Sequence, residues 1–506
     1  MFGKGLVRLD EASFHPPAID AGGDGDEAEI PCVLLEYNTY VADRRNGTTA
    51  VEKSSCGREI QVSFFAARPP RVSYLCVFCR SASTDENQEM MIAVEPKVLA
   101  TDDNLLLLRI VVSPEKNLID GCDFYIYQPA GSDGPSLQRL PRPPGNIILL
   151  PNHVGILSCP ANDRDGGSTG LSLLRPHRAP QDKFYMVAAL CDYNDLLALG
   201  RGRFVLHVYN SKLQTWTAIN VSVDDQHFQK YQEEGYLLHF NTRAIAVGGE
   251  DATVAFVDLW NGILLCDLSH VKDKPWLRYV PLPAPSGSPS DADAYLSRDI
   301  AVVDGHFKFV QSRPKCKDCP TCGGDDYFWK FAIWTRPVSA SSLLDDSWQL
   351  VCDMESSRMD VKSCPGFELL PKLGDNTSAP FRRLLISHPT LSWNCSTDNT
   401  VWFMVKVKQF DARAWVIAVD IMNNRLQGVA EFDAGRYTVT GFAYRHSRIS
   451  KYLNKAPGTK EKLKRPGGML LLGSAHKKLP GIRKPIQHDA GIEGVAEGGG
   501  DDMLLG

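Results

Sequence analysis

The chain has 506 residues, of which 43% are hydrophobic and 23% are charged, and its formal net charge is −5. This length allows a large core, and the composition is that of a globular protein rather than of a disordered or fibrous chain. No apolar run approaches the roughly 18 residues of a membrane span, and the first residues lack the apolar stretch of a secretory signal. We therefore expect a soluble, intracellular protein, in the cytoplasm or the nucleus, with no membrane partner.

The charge is distributed unevenly along the chain. Residues 445 to 484 contain 12 Lys and Arg and one acid, a balance of +11, so the rest of the chain carries −5 − 11 = −16. An acidic body is a poor nucleic-acid binder because the phosphate backbone repels it. Binding to nucleic acid, or nuclear import, is therefore expected only of the basic stretch that includes "KEKLKR" at 460–465.

Taken in chain order, the segments predict one long β-rich domain between two disordered ends. Residues 1–30 are rich in Gly, Asp and Pro, and residues 446–506 are first basic and then acidic and Gly-rich. Between them, from 31 to 445, apolar segments of about 5–9 residues alternate with Gly, Pro, Asn and Asp clusters, which is typical of strands.

These segments repeat in a loose pattern that predicts a β-propeller. The leading strands of five units are expected near residues 105, 183, 243, 298 and 400. The segments "CVLLEYNTYV" and "VSFFAARPPRVSYLCVF" provide a sixth. The spacing exceeds the roughly 40–50 residues of a minimal blade, and loop insertions account for the excess at 160–182, 285–297, 311–327 and 355–380. The predicted fold class is all-β, a propeller-like array of about six antiparallel blades, with tandem β-sandwiches as the alternative.

One hairpin illustrates the predicted scaffold. In "VDLWNGILLCDL", residues 257–268, Asn261 and Gly262 predict a two-residue turn with positive φ angles. Trp260 is expected to pack between blades. Asp258 and Asp267 are interpreted as polar residues at strand ends and not as a catalytic pair.

The strongest metal motif in the sequence is "CKDCPTC", which places Cys316, Cys319 and Cys322 at C-x2-C-x2-C spacing. Structural zinc needs four ligands, and a fourth is missing from this motif. His306 is a possible one, although it lies in a predicted strand. We expect no stoichiometric metal here and interpret the segment as a loop insertion, with zinc as the alternative.

A second C-x2-C pair, Cys76 and Cys79, lies in a predicted strand with both cysteines partly buried. Motifs for nucleophilic catalysis, nucleotide binding or metal hydrolysis are missing from the sequence. The sequence therefore predicts no catalytic residues, no cofactor-binding residues and no cofactor.

Five segments resemble one protein family when taken together. They are "RPPRVSYLCVFC", "DFYIYQPAGSDGPSLQRLPRPP", "FVDLWNGILLCDL", "LRYVPLPAP" and "RDIAVVDGHFKFV". The chain resembles the domain of unknown function 1618 family from about 31 to 445, most characteristically over 257–395. This resemblance implies a plant source, in particular a grass, and it brings no established catalytic residues.

The sequence thus favours a monomeric, non-enzymatic scaffold that binds a protein partner through its loops. Two alternatives remain open. One is an enzyme with an unrecognised site in a propeller face, and the other is a nucleic-acid-associated protein that acts through the basic tail. The partner and the process are not disclosed by the sequence.

Overall fold

The computed structural model describes residues 9–18, 30–80, 92, 94–112, 122–131, 133–159, 184–192, 202–223, 239–249, 252–283, 293–316, 327–339, 348–362, 364–371, 381, 384–393, 398–437 and 442–455. These residues form β-strands joined by short 3₁₀ helices, at Glu11–Phe14, Pro144–Asn146, Ala294–Leu296, Ser356–Arg358, Phe367–Leu369, Gly435–Tyr437 and Ile449–Lys455. Over these ranges, no helix has the length and apolar character needed to cross a membrane.

The strands form five hydrogen-bonded sheets, which we divide into six successive blades, here called blades 1 to 6. Blades 3 and 4 belong to one eight-stranded sheet, because Ser222 and Val223 pair in parallel with Trp276 and Leu277. Blade 1 begins with β1 (Val33–Glu36), β2 (Tyr40–Val41), β3 (Ala50–Lys53), β4 (Glu59–Phe65) and β5 (Val72–Arg80). Blade 2 contains β6 (Lys97–Asp102), β7 (Leu105–Val111), β8 (Cys122–Gln128) and β9 (Ser136–Arg139). Blade 3 contains β10 (Val154–Cys159), β11 (Phe184–Asp192), β12 (Arg203–Asn210) and β13 (Thr215–Val223).

The second half of the chain continues the same arrangement. Blade 4 contains β14 (Arg243–Gly248), β15 (Thr253–Asp258), β16 (Gly262–Asp267) and β17 (Trp276–Pro281). Blade 5 contains β18 (Arg298–Val303), β19 (His306–Cys316), β20 (Tyr327–Pro337) and β21 (Gln349–Glu355). Blade 6 contains β22 (Leu385–Leu391), β23 (Thr400–Lys406), β24 (Arg413–Asp420) and β25 (Arg425–Asp433). The last strand, β26 (Tyr444–Ser447), returns to blade 1 and pairs antiparallel with β1.

The hydrophobic core is divided into layers between neighbouring blades. Successive pairs of blades, 1 with 2, 2 with 3, 3 with 4, 4 with 5 and 5 with 6, each enclose a cluster of buried apolar side chains, and another cluster lies between blades 6 and 1. Each sheet is therefore covered on both faces, which explains strands such as β7, in which six of the seven residues are apolar and all seven are buried. This cyclic packing is that of a propeller-like fold, and it confirms the predicted all-β class.

The innermost strand of each blade lines the middle of this ring. In blade 1 this strand is β26, and in the other blades it is the first strand in chain order. β6, β10, β14, β18, β22 and β26 contact one another in that order, and Arg445 of β26 donates a hydrogen bond of 3.1 Å to the Leu99 carbonyl of β6. Arg243 at the beginning of β14 contacts Asp299 at the beginning of the neighbouring inner strand, β18. We call the end of the ring where β14, β18 and β22 begin the upper end, and the opposite one the lower end.

The structure differs from the sequence predictions in where the blades begin. The strands near residues 105, 183 and 400 are the second strands of blades 2, 3 and 6, and the first strands are β6, β10 and β22. Strand β19 continues through residues 311–316, so this part of the predicted 311–327 loop is paired with β20 down to Cys316 and Tyr327.

Some of the described residues lie outside the predicted domain at 31–445. Before residue 30, Ser13 is buried and its hydroxyl donates a 2.7 Å hydrogen bond to Glu95. After residue 445, His446 and Ile449 are fully buried. The basic and acidic tail beyond residue 455 lies outside the described residues.

The predicted two-residue turn at Asn261 and Gly262 is wrong. Asp258 pairs directly with Gly262, so the turn consists of residues 259–261, and Gly262 is the first residue of β16 with no positive φ. Glycine is required there for a different reason, because a β-carbon would overlap the Tyr279 hydroxyl and lie 2.7 Å from the Val280 carbonyl oxygen. Trp260 packs on Arg298 of the next blade, whose guanidinium lies 4.3 Å from the indole centroid.

Candidate functional site

The cysteine motif is only partly within the described chain. Cys316 is the last residue of β19, while Cys319 and Cys322 lie outside the described residues. His306 is the first residue of the same strand, and ten residues of extended chain span about 33 Å. His306 is thus too far away to share a metal with Cys316, which removes the fourth ligand considered from the sequence.

Cys76 and Cys79 are both on β5, as predicted, and they do not form a ligand pair. Residues three apart on a strand point to opposite faces. Burial raises the pKa of the Cys76 thiol to about 12 and that of Cys79 to about 11, so both remain protonated. In the described portion of the chain, no group of three or more His, Cys, Asp or Glu residues is arranged to hold a metal ion.

Asp258 and Asp267 stabilise turns at opposite ends of one hairpin. The Asp258 carboxylate accepts hydrogen bonds from the backbone N–H groups of Phe240 and Trp260, at 3.0 and 2.9 Å. Asp267 accepts one from the backbone of Ser269 at 3.0 Å. Asp258 pairs with Gly262 and Asp267 with Thr253, so the two carboxylates belong to opposite ends of the β15–β16 pair.

Charged and aromatic residues that the sequence analysis did not identify meet in the middle of the ring. We call them the axial cluster: Tyr37, Arg243, Asp299, Trp393, Phe442, Arg445 and His446. Its centre is the ion pair between Arg243 and Asp299, two nearly inaccessible side chains. Asp299 also accepts a 2.9 Å hydrogen bond from the backbone of Leu391, which ties blade 5 to blade 6. Burial raises the pKa of Asp299, and the neighbouring Arg243 opposes this shift.

Aromatic rings surround the two arginines of the axial cluster. The Arg243 guanidinium lies 5.3 Å from the Trp393 ring and 5.9 Å from the Phe442 ring. Phe442 stacks on Tyr37 at 5.5 Å, and the Arg445 guanidinium lies 4.5 Å from the same tyrosine ring. Each guanidinium therefore lies beside aromatic surface, an arrangement that favours Arg over Lys.

His446 is the neutral member of the axial cluster. Its ring lies between those of Trp393 and Trp402, at centroid distances of 5.5 and 5.7 Å. Burial lowers its pKa to about 3, and the positive charge of Arg448 acts in the same direction. At neutral pH this imidazole therefore carries no charge.

A second buried charge cluster, here called the latch, joins the two ends of the described body. Arg436 donates to Glu36 and to Glu95, with N–O distances of 2.5 and 3.1 Å, and its guanidinium lies 3.8 Å from the Tyr40 ring. Burial raises the pKa of both carboxyls, while Arg436 opposes this shift. The charged side chains of the latch are almost inaccessible to solvent. We therefore assign the latch a structural role.

Sequence comparison identifies one family over part of the chain. The family described as "Protein of unknown function (DUF1618)" matches residues 256–402, from β15 to β23. This range nearly coincides with 257–395, the part that most resembles that family in the sequence. No curated protein sequence matches the chain.

Solved structures with similarity to the chain have low TM-scores. An ancestral GH74 enzyme matches with a TM-score of 0.27 and 11% identity, and the aligned region covers 80% of this chain but only 39% of that enzyme. The catalytic domain of a Coprinopsis cinerea GH62 alpha-L-arabinofuranosidase gives 0.25 and 13%, over 64% of this chain and 86% of its own. The WD40 domain of SCAP from fission yeast gives 0.25 and 12%, over 80% and 89%. Similarities of this size carry no argument about activity.

Proposed function

We propose that this protein is a non-enzymatic scaffold that binds a protein partner through the upper end of its blade ring. The observation that carries the proposal is a pair of exposed aromatic side chains at that end. Phe240, just before β14, is 55% exposed, and Phe410, between β23 and β24, is 69% exposed. Large aromatic residues in such positions are the usual anchors of protein interfaces.

Both residues belong to the upper end by strand pairing. Arg243 pairs with Val257, so residue 240 lies beside the turn at 259–261. Leu385, the first residue of β22, pairs with Lys406, so residues 407–412 lie at the end where β22 begins. Strand pairing therefore assigns both phenylalanines to the upper end.

The charge of the body indicates the chemistry of the partner. Of the −16 outside residues 445–484, residues 1–30 and 485–506 carry −5 each, so residues 31–444 carry −16 + 10 = −6. A partner with basic residues around an apolar contact would be attracted to this acidic body. The resemblance to a plant family further supports an intracellular plant protein of the cytoplasm or nucleus that is monomeric without its partner. An enzyme site in a propeller face and nucleic-acid binding by the tail are the alternatives.

A photo-crosslinking experiment tests the proposal. A benzoylphenylalanine placed at position 410 should capture a partner in cells, whereas one at position 213, at the lower end, should not. The purified partner is then titrated with the Phe240→Ser/Phe410→Ser variant, for which we expect at least tenfold weaker binding. Leu213→Ser/Met422→Ser changes exposed apolar residues at the lower end and is the matched control. Equal weakening by both double variants, or by neither, would contradict the proposal.

A further inference from the structure

We propose that the axial cluster is a binding site for a small oxyanion, in which Arg243, Arg445 and Trp393 donate hydrogen bonds to the ligand. This site lies inside the ring, near the upper end, and shares no residue with the proposed partner surface.

The charges of the axial cluster do not balance. It contains two guanidinium groups, and Asp299 is its carboxylate, while His446 is neutral at physiological pH. Asp398, a further carboxylate that influences His446, is already hydrogen-bonded to the Ser392 hydroxyl and to the Thr400 backbone. A buried positive charge without a counter-ion is costly, so a negative ligand would stabilise the site.

Several donors of the axial cluster have no acceptor within the described residues. They are Nε and Nη2 of Arg243, Nε of Arg445 and Nε1 of Trp393. The two arginine side chains are more than nine-tenths buried, so solvent does not satisfy these atoms at the protein surface. Buried donors in native proteins normally have partners.

The chemistry of these atoms identifies the ligand class. Guanidinium and indole N–H groups only donate hydrogen bonds, so the occupant must accept several of them, which excludes a metal cation. Guanidinium groups bind the oxygens of phosphate and carboxylate with matched geometry. The rings of Trp393 and Phe442 flank the Arg243 guanidinium, and the ring of Tyr37 flanks that of Arg445.

The test uses the full chain dialysed against a buffer without oxyanions. Inorganic phosphate, sulfate and acetate are titrated separately by calorimetry, and the relative affinities distinguish a phosphate-like from a carboxylate ligand. We expect saturable binding of one ion per chain for at least one of them. In addition, ion chromatography of the unfolded protein before dialysis should detect the ion that the protein carries from its source.

Conservative variants connect this binding to the axial cluster. Trp393→Phe removes one N–H group and keeps the ring, and we expect it to weaken binding at least threefold. Arg445→Lys should weaken it at least tenfold. Trp415→Phe is the matched control, because the Trp415 indole N–H is also buried and has no acceptor in the described chain, but it lies on β24 outside the axial cluster.

Thermal unfolding shows that each variant is folded before it is titrated. Unchanged affinity in Trp415→Phe together with weakened affinity in Trp393→Phe supports the site. Failure of the folded wild-type protein to bind any of the three ions, or equal weakening by both tryptophan variants, overturns it.

Discussion

Gly262 and Tyr279 approach each other so closely across β16 and β17 that a β-carbon at position 262 would overlap the Tyr279 hydroxyl. The close approach is possible because residue 262 has no side chain, and it allows Tyr279 to pack in the core between blades 3 and 4. The constraint at this glycine is therefore steric and comes from the neighbouring strand.

Replacing Gly262 with Ala should consequently destabilise the protein. We expect a loss of about 1–3 kcal/mol in the free energy of unfolding, as for other overpacked sites, and at least as much for Val. Urea denaturation measures the effect. Gly47→Ala is the control, because nothing lies within 4 Å of a β-carbon there. Equal denaturation midpoints for Gly262→Ala and Gly47→Ala would show that Tyr279 does not restrict this position.

The buried His446 predicts a loss of stability in acid. Its pKa falls from 6.5 to about 3 on folding, so between these values the unfolded chain binds more protons than the folded one. Stability should then be complete above pH 6.5 and decrease as the pH falls toward 3, by about 3 kcal/mol at pH 4.

Comparison of His446→Phe with the wild type measures this contribution. The variant should lose less stability than the wild type between pH 6.5 and pH 4 in urea denaturation. His306→Gln, which changes an exposed histidine, should follow the wild-type curve. Parallel curves for His446→Phe and the wild type would mean that the folded protein tolerates the protonated ring.

Removing the arginine of the latch should destabilise the fold at neutral pH. Arg436→Met leaves Glu36 and Glu95 buried without a cation, and we expect a loss of about 3–5 kcal/mol. Because burial raises the pKa of both carboxyls, they take up protons in the folded protein as the pH falls. The penalty should therefore be smaller at pH 4 than at pH 7.

The control for the latch is Arg413→Met. Arg413 pairs with Glu431 at the surface, and exposed pairs of this kind contribute about 0–1 kcal/mol. Denaturation midpoints at the two pH values measure both variants. A loss for Arg436→Met that is equally large at pH 4 and pH 7 would assign the effect to lost packing and not to the buried carboxyls.

The cysteine motif should bind less than one zinc ion per chain. Cys316, Cys319 and Cys322 supply three thiolates, and His306 is excluded as the fourth ligand by its distance along β19. Elemental analysis of the purified protein measures the zinc content, with Cys76→Ser as a control in a different strand. One zinc per chain that is lost in Cys319→Ser but retained in Cys76→Ser would establish a metal site.

The repeat of apolar segments along the sequence is enough to predict an all-β fold class. It does not predict which strand is the first one of each blade. In β7, "LLLLRIV", every residue except the arginine is apolar, and this pattern alone predicts a buried strand. The inner strand β22, "LISHPTL", contains Ser, His, Pro and Thr and has a bulge near His388, so its pattern resembles that of a loop. An inner strand is defined by its contacts with the neighbouring blades. The hydrophobic periodicity of a single strand carries no information about those contacts.

The axial cluster was hidden from sequence analysis for a similar reason. Tyr37 and Arg445 are separated by almost the whole domain and meet because β26 pairs with β1. The available signal was local: "RDIAVV" and "YRHS" place charged residues inside buried strands. A charged residue inside a buried strand needs a partner or a ligand. That rule identifies Asp299 and Arg445 as candidate site residues from the sequence.

The pairing of β1 with β26 has a consequence for the order of folding during synthesis. A ribosome makes β1 early and must add the whole of blades 2 to 6 before β26 exists. At about 5–20 residues per second, this interval is roughly 20 to 80 seconds. During this interval, β1 lacks β26, the strand with which it pairs in the folded protein. Closure of the ring by this pair of strands can therefore occur only after translation has passed residue 447.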